Sequence, residues 1–239
     1  MPTLLVTGAG RGLGLEIVRQ YDAEGWRVIA GCRHPAAATE LAKLAQASGG
    51  RITVHALDVS DHAQIERLSG ELAGLPIDVL VNNAGIAGHQ RAATQGSTAQ
   101  RFGQSDYDEW LNAFRVNALA PMKMAEAFVK QLAGSELKRI ATLTSVMGSI
   151  GRNTLGGMYA YRSSKAAANA IVRSLALDLA RHGIVAVALH PGWVRTDMGG
   201  PRAELEAAVS VAGLRKVIAG LTREQSGRFF AYDGSELPW

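Results

Sequence analysis

The sequence predicts an α/β protein with a single doubly wound parallel sheet that is covered by helices on both faces. Short, almost wholly apolar runs alternate with stretches of helical periodicity along most of the chain. Strands that are buried on both faces form such apolar runs, and parallel strands need crossover connections, usually helices, between them. The 239 residues, 47% of them hydrophobic, are enough for one sizeable core. One domain spanning residues 1–239 is therefore expected.

Four strands and three helices are predicted in the first third of the chain. The strands are placed at Thr3–Thr7, Arg27–Cys32, Ile52–Leu57 and Val79–Asn82. The helices between them are placed at Gly14–Glu24, Ala36–Ala47 and Asp61–Ala73. Gly25 supports the end of the first helix, because glycine commonly follows the last helical residue.

The alternation continues with longer helices in the rest of the chain. A helix from about Tyr107 to Ala133, a strand at Arg139–Thr144, a helix from about Tyr159 to His182 and a strand at Val185–His190 follow in order. Residues 195–227 then leave the sheet, with a weak helical pattern from Ala203 onward, and are expected to form a lid or substrate loop. The apolar pair Phe229-Phe230 is expected to form an edge strand. The polar, aperiodic segment Ile86–Gln104 is long enough to predict a functional loop.

Composition excludes several classes of protein. The single cysteine, Cys32, excludes an internal disulfide and a multi-cysteine zinc site, and no metal is expected. The net charge of +4 comes from dispersed Lys and Arg residues, so no nucleic-acid partner is expected. The chain begins without a signal-peptide pattern, and no apolar run is long enough to span a bilayer. These features predict a cytoplasmic protein with no membrane partner.

A glycine-rich turn, Thr7–Gly14, lies between the first predicted strand and the first predicted helix. Doubly wound sheets bind nucleotides at this place, where the helix N-terminus presents free N–H groups to a pyrophosphate. Its essential glycines are Gly8, Gly12 and Gly14, because Leu13 interrupts the more common Gly-x-Gly-x-x-Gly spacing. The turn also lacks the Gly-Lys-Ser/Thr ending of an ATPase loop. A Rossmann-like dinucleotide site is therefore predicted, with a purely structural turn as the alternative.

The charges near the second and third strands indicate which dinucleotide binds. A cofactor with free ribose hydroxyls favours a carboxylate at the end of the second strand, but this place holds Cys32-Arg33-His34. Arg11 and Arg33 could instead bind a 2′-phosphate, so NADP(H) is favoured over NAD(H). The alternative is a pair of solvated arginines. Asp58, with Val59 beside it, is assigned to the adenine, although a helix-capping role competes and Asp61 is the better cap.

Tyr161 and Lys165 are the strongest candidates for chemistry. They are four residues apart in a predicted helix, which places the phenol and the ammonium on one face. A nearby cation favours tyrosinate and can lower the pKa of a tyrosine by roughly 1–3 units from its usual value of about 10. A phenol with such a pKa can donate or accept a proton near neutral pH. The alternative is an unremarkable pair on an exposed helix face.

These motifs together give the chain a resemblance to the short-chain dehydrogenase/reductase family along essentially its whole length. Further matches are Asn82-Asn83-Ala84-Gly85, Asn117, Ser145 and the segment Pro191-Gly-Trp-Val-Arg-Thr196. The resemblance implies a catalytic set of Asn117, Ser145, Tyr161 and Lys165. It assigns Asn83, Ala84 and Gly85 to the adenosine-ribose side of the cofactor, and Pro191, Val194 and Thr196 to the nicotinamide. It also implies that Lys165 and Tyr161 contact the cofactor.

Two assignments within this resemblance have competitors. Ser145 precedes Tyr161 by 16 positions, a few more than many family members show, and Ser149 is the rival serine. Ser145 is preferred because it ends a strand and precedes a turn. Tyr159 has Ser163 rather than a lysine four residues on, so it is assigned to the pocket wall.

The closer resemblance is to the branch that includes carbonyl reductase of the Sniffer type and the bacterial C-factor proteins. The supporting strings are Gly156–Lys165, Val194–Pro201 and the ending Tyr232–Trp239. This implies NADPH-dependent reduction of an aldehyde, ketone or quinone of small apolar type, or the reverse alcohol oxidation. The alternatives are an NADP-binding signalling protein with incidental catalysis, and a dehydratase or epimerase on nucleotide sugars. The helices from Tyr107 and Tyr159 could form the dimer interface common in the family, giving a homodimer or homotetramer.

Overall fold

The computed structural model describes residues 1–87 and 102–239, so residues 88–101 of the predicted functional loop lie outside the described residues. The described part contains one seven-stranded sheet in which all strands are parallel, in the order β3-β2-β1-β4-β5-β6-β7. The strands are β1 Thr3–Thr7, β2 Arg27–Cys32, β3 Ile52–Ala56, β4 Val79–Asn82, β5 Arg139–Leu143, β6 Val185–His190 and β7 Phe229–Ala231. The predicted fold class is confirmed.

Helices cover both faces of this sheet. They are α1 Gly12–Ala23, α2 Thr39–Ala47, α3 His62–Glu71, α4 Tyr107–Phe114, α5 Ala120–Ala133, α6 Tyr159–Asp178 and α7 Ala207–Ala219. A π-helical segment, Arg115–Leu119, joins α4 to α5, so the predicted long helix is continuous but changes its winding in the middle. In the described ranges no helix is long and apolar enough to cross a membrane.

The sequence placed the strands more accurately than the helix ends. Strands β1, β2, β4 and β6 have the predicted bounds, and β3 and β5 end one residue early. Helix α2 begins at Thr39 rather than Ala36, because Pro35–Ala37 forms a separate 3₁₀ turn. Helix α6 ends at Asp178, and a 3₁₀ turn carries the chain to Gly183, which has a φ of 72°.

The hydrophobic core consists of two layers, one on each face of the sheet. Alternate residues of a strand enter opposite layers: Val6 packs on the side of α1, α2 and α7, whereas Leu5 packs on the side of α3 and α5. Phe128 of α5 is fully buried in the second layer. This two-sided burial explains why the strands are apolar along their whole length.

The topology creates a crevice at the carboxyl ends of β1 and β4. The chain moves from β1 outward to β2 and β3, and then returns to place β4 on the other side of β1. The connections after β1 and β4 therefore leave in opposite directions, which opens the space where doubly wound sheets bind ligands. Helix α7 lies in the middle of the segment predicted as a lid, with Val211, Leu214 and Ile218 buried. The lid over residues 195–227 stays a prediction.

Candidate active site

The glycine-rich turn is shaped by close backbone contacts. Gly8 and Gly12 have φ values of 68° and 55°, in the left-handed region that favours glycine. A Cβ atom on Gly14 would lie 2.2 Å from the carbonyl oxygen of Gly8. The side-chain amide of Asn83 closes the turn by donating to the carbonyl oxygens of Thr7 (2.8 Å) and Gly8 (3.2 Å). Asn83 thus holds the carbonyl groups of the turn, whereas Gly8, Gly12 and Gly14 add no side chains that would keep a ligand from the backbone.

The N-terminus of α1 also offers a binding place for a phosphate group. Arg11 precedes the helix in an extended conformation and makes no side-chain capping hydrogen bond, so the first N–H groups are not capped by a side chain there. Leu13, the residue that breaks the common spacing, is partly buried against the core layer of α1. An uncapped helix N-terminus beside a glycine-rich turn fits the pyrophosphate of a dinucleotide.

Hydrogen bonds join the residues after β4 to Thr7 at the end of β1. The backbone N–H groups of Asn83 and Ala84 both donate to the Thr7 hydroxyl at 3.1 Å. A Cβ atom on Gly8 would lie 2.9 Å from the Cα atom of Ala84. The Asn83–Gly85 segment therefore lies beside the glycine-rich turn, and its assignment to the adenosine-ribose side of the cofactor stays a prediction.

The two arginines assigned to the 2′-phosphate differ in their surroundings. The guanidinium of Arg11 is paired with the Asp197 carboxylate at 2.9 Å, and both side chains are 76% exposed. Arg33 is exposed, and its side chain makes no hydrogen bond or ion pair with the other described residues. No acidic residue is present in the stretch Gly31–His34 that ends β2. Both cations are thus accessible to an anionic ligand.

The residues assigned to the adenine lie just after β3. Asp58 is partly buried, and its carboxylate accepts hydrogen bonds from the N–H (2.9 Å) and the hydroxyl (2.7 Å) of Ser60. Asp61, not Asp58, caps α3 by accepting from Ala63 N at 3.0 Å, which confirms it as the better cap. Val59 is buried in the core layer on the α3 side. The adenine assignment of Asp58 and Val59 stays a prediction.

The four predicted catalytic residues come from three elements. Asn117 lies in the π-helical segment, Ser145 is the second residue after β5, and Tyr161 and Lys165 occupy the first two turns of α6. Asn117, Ser145 and Lys165 are buried, whereas Tyr161 is partly buried. A Cβ atom on Gly85 would lie 3.3 Å from Asn117 Oδ1 and 3.4 Å from Lys165 Nζ. The structure therefore brings Asn117 and Lys165 together beside Gly85.

The Asn117 amide is held on three sides. Its oxygen accepts from the N–H of Ile86 at 2.9 Å, and its nitrogen donates to the carbonyl of Ile86 at 2.8 Å. The same nitrogen donates to the Ser164 hydroxyl at 2.9 Å. These contacts use both N–H donors of the Asn117 amide and one acceptor site of its oxygen, so the side chain is held firmly in place. Ser164 was not singled out from the sequence, since its contact joins residues far apart in the chain.

The two rival serines have different partners. The Ser145 hydroxyl accepts from the N–H of Met147 at 3.1 Å and shares a hydrogen bond with the Tyr161 side chain. The Ser149 hydroxyl is buried and donates to the backbone carbonyl of Trp239 at 2.9 Å. Ser145 is therefore the serine that faces Tyr161, which supports the preference for it.

Burial dominates the ionisation of Tyr161 and Lys165. Burial raises the pKa of Tyr161 from its usual value, and the hydrogen bond with Ser145 only partly opposes this. Burial also lowers the pKa of Lys165 to about 8. The lowered tyrosine pKa predicted from the Tyr-Lys spacing is wrong for this structure. The Lys165 ammonium donates to the carbonyl of Leu143 at 2.8 Å and lies 5.8 Å from the centre of the Tyr161 ring.

The segment assigned to the nicotinamide lies over the glycine-rich turn. The carbonyl of Pro191 accepts from the buried Ser210 hydroxyl at 2.6 Å, and Val194 is buried. The methyl group of Thr196 lies 3.5 Å from the position of a Cβ atom on Gly12. The structure thus brings this segment next to the phosphate loop, on the side from which Asp197 reaches Arg11.

Two polar residues near this segment were not found from the sequence. Asp197 pairs with Arg11 across 186 positions of the chain, so no local pattern could indicate it. His190 ends β6 directly before Pro191, and its buried Nδ1 atom lacks a hydrogen-bond partner in the described structure. Burial, assisted by the charge of Arg152, lowers the pKa of His190 to about 4. His190 is therefore a neutral group at physiological pH.

The described residues contain no cluster of His, Cys, Asp and Glu suited to a metal ion.

Comparisons with known proteins agree with this geometry. A family model described as short chain dehydrogenase matches residues 2–207. C-signal from Myxococcus xanthus is 50% identical over 164 residues, covering 69% of this chain and 93% of that protein. Carbonyl reductase Sniffer of D. melanogaster superposes with a TM-score of 0.89 at 33% identity, covering 100% of both chains. NADPH-bound carbonyl reductase from chicken fatty liver has a TM-score of 0.89 at 32% identity, covering 100% of this chain and 99% of that one.

Proposed function

The chain belongs to the short-chain dehydrogenase family of oxidoreductases, and we propose that it reduces carbonyl groups of small apolar substrates with NADPH, or oxidises the corresponding alcohols. One observation carries the proposal. The Ser145 and Tyr161 hydroxyls are hydrogen-bonded to each other, with Lys165 buried on the same face of α6, beside a turn that fits a dinucleotide pyrophosphate. The similarity to two carbonyl reductases supports the same reaction class.

Each catalytic side chain has a role that follows from its position. The nicotinamide dinucleotide, when bound, supplies the hydride to the carbonyl carbon. Tyr161 donates a proton to the carbonyl oxygen, and the Ser145 hydroxyl hydrogen-bonds the same oxygen as negative charge develops on it. A tyrosine whose pKa is raised is fully protonated at neutral pH, which suits it to act as an acid in reduction. In oxidation the same phenol must act as the base.

Lys165 and Asn117 prepare the site for this proton transfer. The Lys165 ammonium is charged below pH 8 and stabilises negative charge that develops near Tyr161. Pro121 follows Asn117 by four positions and has no N–H, so it cannot donate to the Asn117 carbonyl as an α-helical residue would. Asn117 and Lys165 both lie beside Gly85, and the Asn117 carbonyl is proposed to hold a water through which the site regains its proton.

Arg11 and Arg33 support the preference for NADPH over NADH. Both are exposed cations at the crevice, and no carboxylate at the end of β2 is present to accept from a free ribose hydroxyl. A phosphate is the ligand that such a pair of guanidinium groups recognises best.

Exposed apolar side chains beside the site support an apolar substrate. Trp193 and Met198 are exposed on the segment that follows β6, and Ile150 is exposed in the segment between Ser145 and Tyr161. The ring of Tyr159 lies 6.3 Å from the ring of Trp110 in α4, and the place of Tyr159 in the pocket wall stays a prediction. Small aldehydes, ketones and quinones are the substrates that we propose.

The alternative is an NADP-binding signalling protein in which catalysis is incidental. The 50% identity to the protein named C-signal favours this alternative. The intact set of Asn117, Ser145, Tyr161 and Lys165 favours an active enzyme, since binding alone does not need all four side chains.

Titration of the purified protein with NADPH and NADH, followed by nicotinamide fluorescence, tests the cofactor part of the proposal. We expect NADPH to bind more tightly than NADH, and Arg11→Ala/Arg33→Ala to weaken NADPH binding about tenfold or more while NADH binding changes little. Turnover of menadione and benzaldehyde with NADPH tests the reaction itself. Equal binding of the two cofactors would contradict the NADPH preference. Tight NADPH binding without turnover would favour the signalling alternative, and failure of both cofactors to bind would contradict the enzyme and the NADP-binding signalling protein alike.

A further inference from the structure

The segment between Ser145 and Tyr161 is held in two separate places. Its inner part, Ser145–Gly148, is held by α6. The amide of Asn169 donates to the Gly148 carbonyl at 3.4 Å, and a Cβ atom on Gly148 would lie 2.8 Å from the carbonyl carbon of Lys165. The position of Ser145 is therefore set by the same helix that carries Tyr161 and Lys165.

The outer part of the segment, Ser149–Arg152, is held by a different region of the chain. The Ser149 hydroxyl donates to the backbone carbonyl of Trp239 at 2.9 Å, and the N–H of Gly151 donates to the same oxygen at 3.3 Å. Ser149 is only 1% exposed, so this hydrogen bond is shielded from water. Ile150 lies between the two donors, and its side chain is 80% exposed.

Trp239 is in turn fixed by β7. Its ring stacks on Phe229, with 5.6 Å between ring centres and 17° between planes. The N–H of Leu237 donates to the Phe229 carbonyl at 2.8 Å, and the Leu237 side chain is buried with Phe229 in the same core cluster. We call residues Ser235–Trp239 the tail segment. It joins the edge of the sheet to the outer part of the loop.

The same two regions both approach the end of β6. The charges of Arg152, in the outer loop, and Asp233, just before the tail segment, act in opposite directions on the pKa of the His190 side chain. The contact that joins the outer loop to the chain after β7 is the pair of hydrogen bonds to Trp239.

We propose that the tail segment, through Trp239, positions the outer loop and so sets the affinity for the carbonyl substrate. This inference rests on the proposed function of the site. The inner loop and Ser145 are held by α6 whether or not the tail contacts are present, so proton donation does not depend on Trp239. Ile150 and Arg152, by contrast, are held only through the outer loop. Trp239 and Ser149 are therefore positioning residues that act on substrate binding.

Steady-state kinetics of menadione reduction with NADPH, in the intact chain, tests the proposal. Ser149→Ala removes one hydrogen bond to Trp239, and Trp239→Ala removes the ring that fixes its carbonyl. Each variant is expected to raise the KM for menadione about fivefold, the effect of one lost hydrogen bond, while kcat changes less than twofold and NADPH binding is unchanged. The double variant should be no worse than the more affected single variant, because both changes break one contact.

Two control variants separate positioning from general loss of stability. Trp239→Phe keeps the stacking on Phe229 and should retain the wild-type KM. Trp26→Ala removes a ring that packs edge-to-face on Tyr21, 4.8 Å away, and should lower Tm without changing the KM. The proposal is overturned if Trp239→Ala and Ser149→Ala leave the KM unchanged, or if they raise it no more than Trp26→Ala does. A collapse of kcat in Ser149→Ala would identify it as the catalytic serine, and an inactive wild type would overturn the proposed function itself.

Discussion

At the scale of single residues, the chemistry of this site depends on Tyr161 and Lys165, whose pKa values shift in opposite directions on burial. Burial favours the neutral phenol of Tyr161 and disfavours the charged ammonium of Lys165. The spacing Tyr-x-x-x-Lys correctly predicted that the two side chains share one helix face. It could not predict the sign of the pKa shift, because burial and the Leu143 carbonyl contact arise only when α6 packs on β5.

The pKa of Lys165 predicts the pH dependence of reduction. Below pH 8 the ammonium is charged, and as pH rises through about 8 the charge and its stabilisation of the developing anion are lost. The kcat/KM for menadione reduction should therefore fall above pH 8 with a single ionisation, which a pH–rate profile measures. A profile that stays flat to pH 10 would contradict this role for Lys165.

The same shift makes a prediction for stability. The pKa of Lys165 is about 8 in the folded chain and 10.5 for an unperturbed lysine, so the unfolded chain binds more protons between these pH values. The contribution of Lys165 to the free energy of unfolding therefore rises with pH over this interval. Urea unfolding should show this rise in wild type relative to Lys165→Met, and equal slopes in the two proteins would contradict it.

Met158 is a site of backbone strain directly before the catalytic helix. It adopts a φ of 51° and a ψ of 38°, a left-handed conformation that costs a non-glycine residue about 1 kcal/mol. Met158→Gly should therefore preserve or raise the free energy of unfolding, by up to about 1 kcal/mol, whereas the β-branched Met158→Val should lower it. Urea denaturation gives the order, and a Val variant more stable than the Gly variant would contradict it.

At the scale of elements, the strands were more predictable than the contacts that fasten them. A strand buried on both faces is recognisable from its own residues, as Val79–Asn82 shows. The π-helical segment Arg115–Leu119 was not predicted, since the apolar periodicity of the helix from Tyr107 continues through it. The clamp between Asn117 and Ile86 joins separate elements, and no local pattern indicates it.

The amino ends of three strands are joined by one buried carboxylate. Asp78, just before β4, accepts from the N–H of Thr3 at 2.8 Å and from those of Glu136 and Leu137 at 3.3 Å. Asp78→Ala leaves these donors without that partner and should lower the free energy of unfolding by about 1–3 kcal/mol. Urea denaturation measures the change.

Asp78 lies at the opposite edge of the sheet from the candidate active site. NADPH binding by folded Asp78→Ala should therefore match wild type, and Asp78→Asn, which keeps one acceptor oxygen, should be intermediate in stability. A fully stable Asp78→Ala variant would show that the three N–H groups do not depend on this carboxylate.

At the scale of the whole molecule, the order of the strands is what assembles the site. The reversal of strand order beside β1 brings the glycine-rich turn, the end of β4 and the segment after β6 to one crevice. The sequence alone indicated each of these pieces and their shared location, because they all follow the carboxyl ends of strands. It did not indicate how the region after β7 joins the site, since Trp239 and Ser149 meet only through the tertiary fold.

The central claim is that Tyr161 donates the proton in an NADPH-dependent carbonyl reduction. The most direct test compares menadione turnover and NADPH binding in wild type and Tyr161→Phe, a change that removes only the hydroxyl. We expect kcat to fall by at least about a hundredfold while the Kd for NADPH changes little, because the phenol acts on the reacting oxygen. A Tyr161→Phe variant that reduces menadione at the wild-type rate would contradict the account.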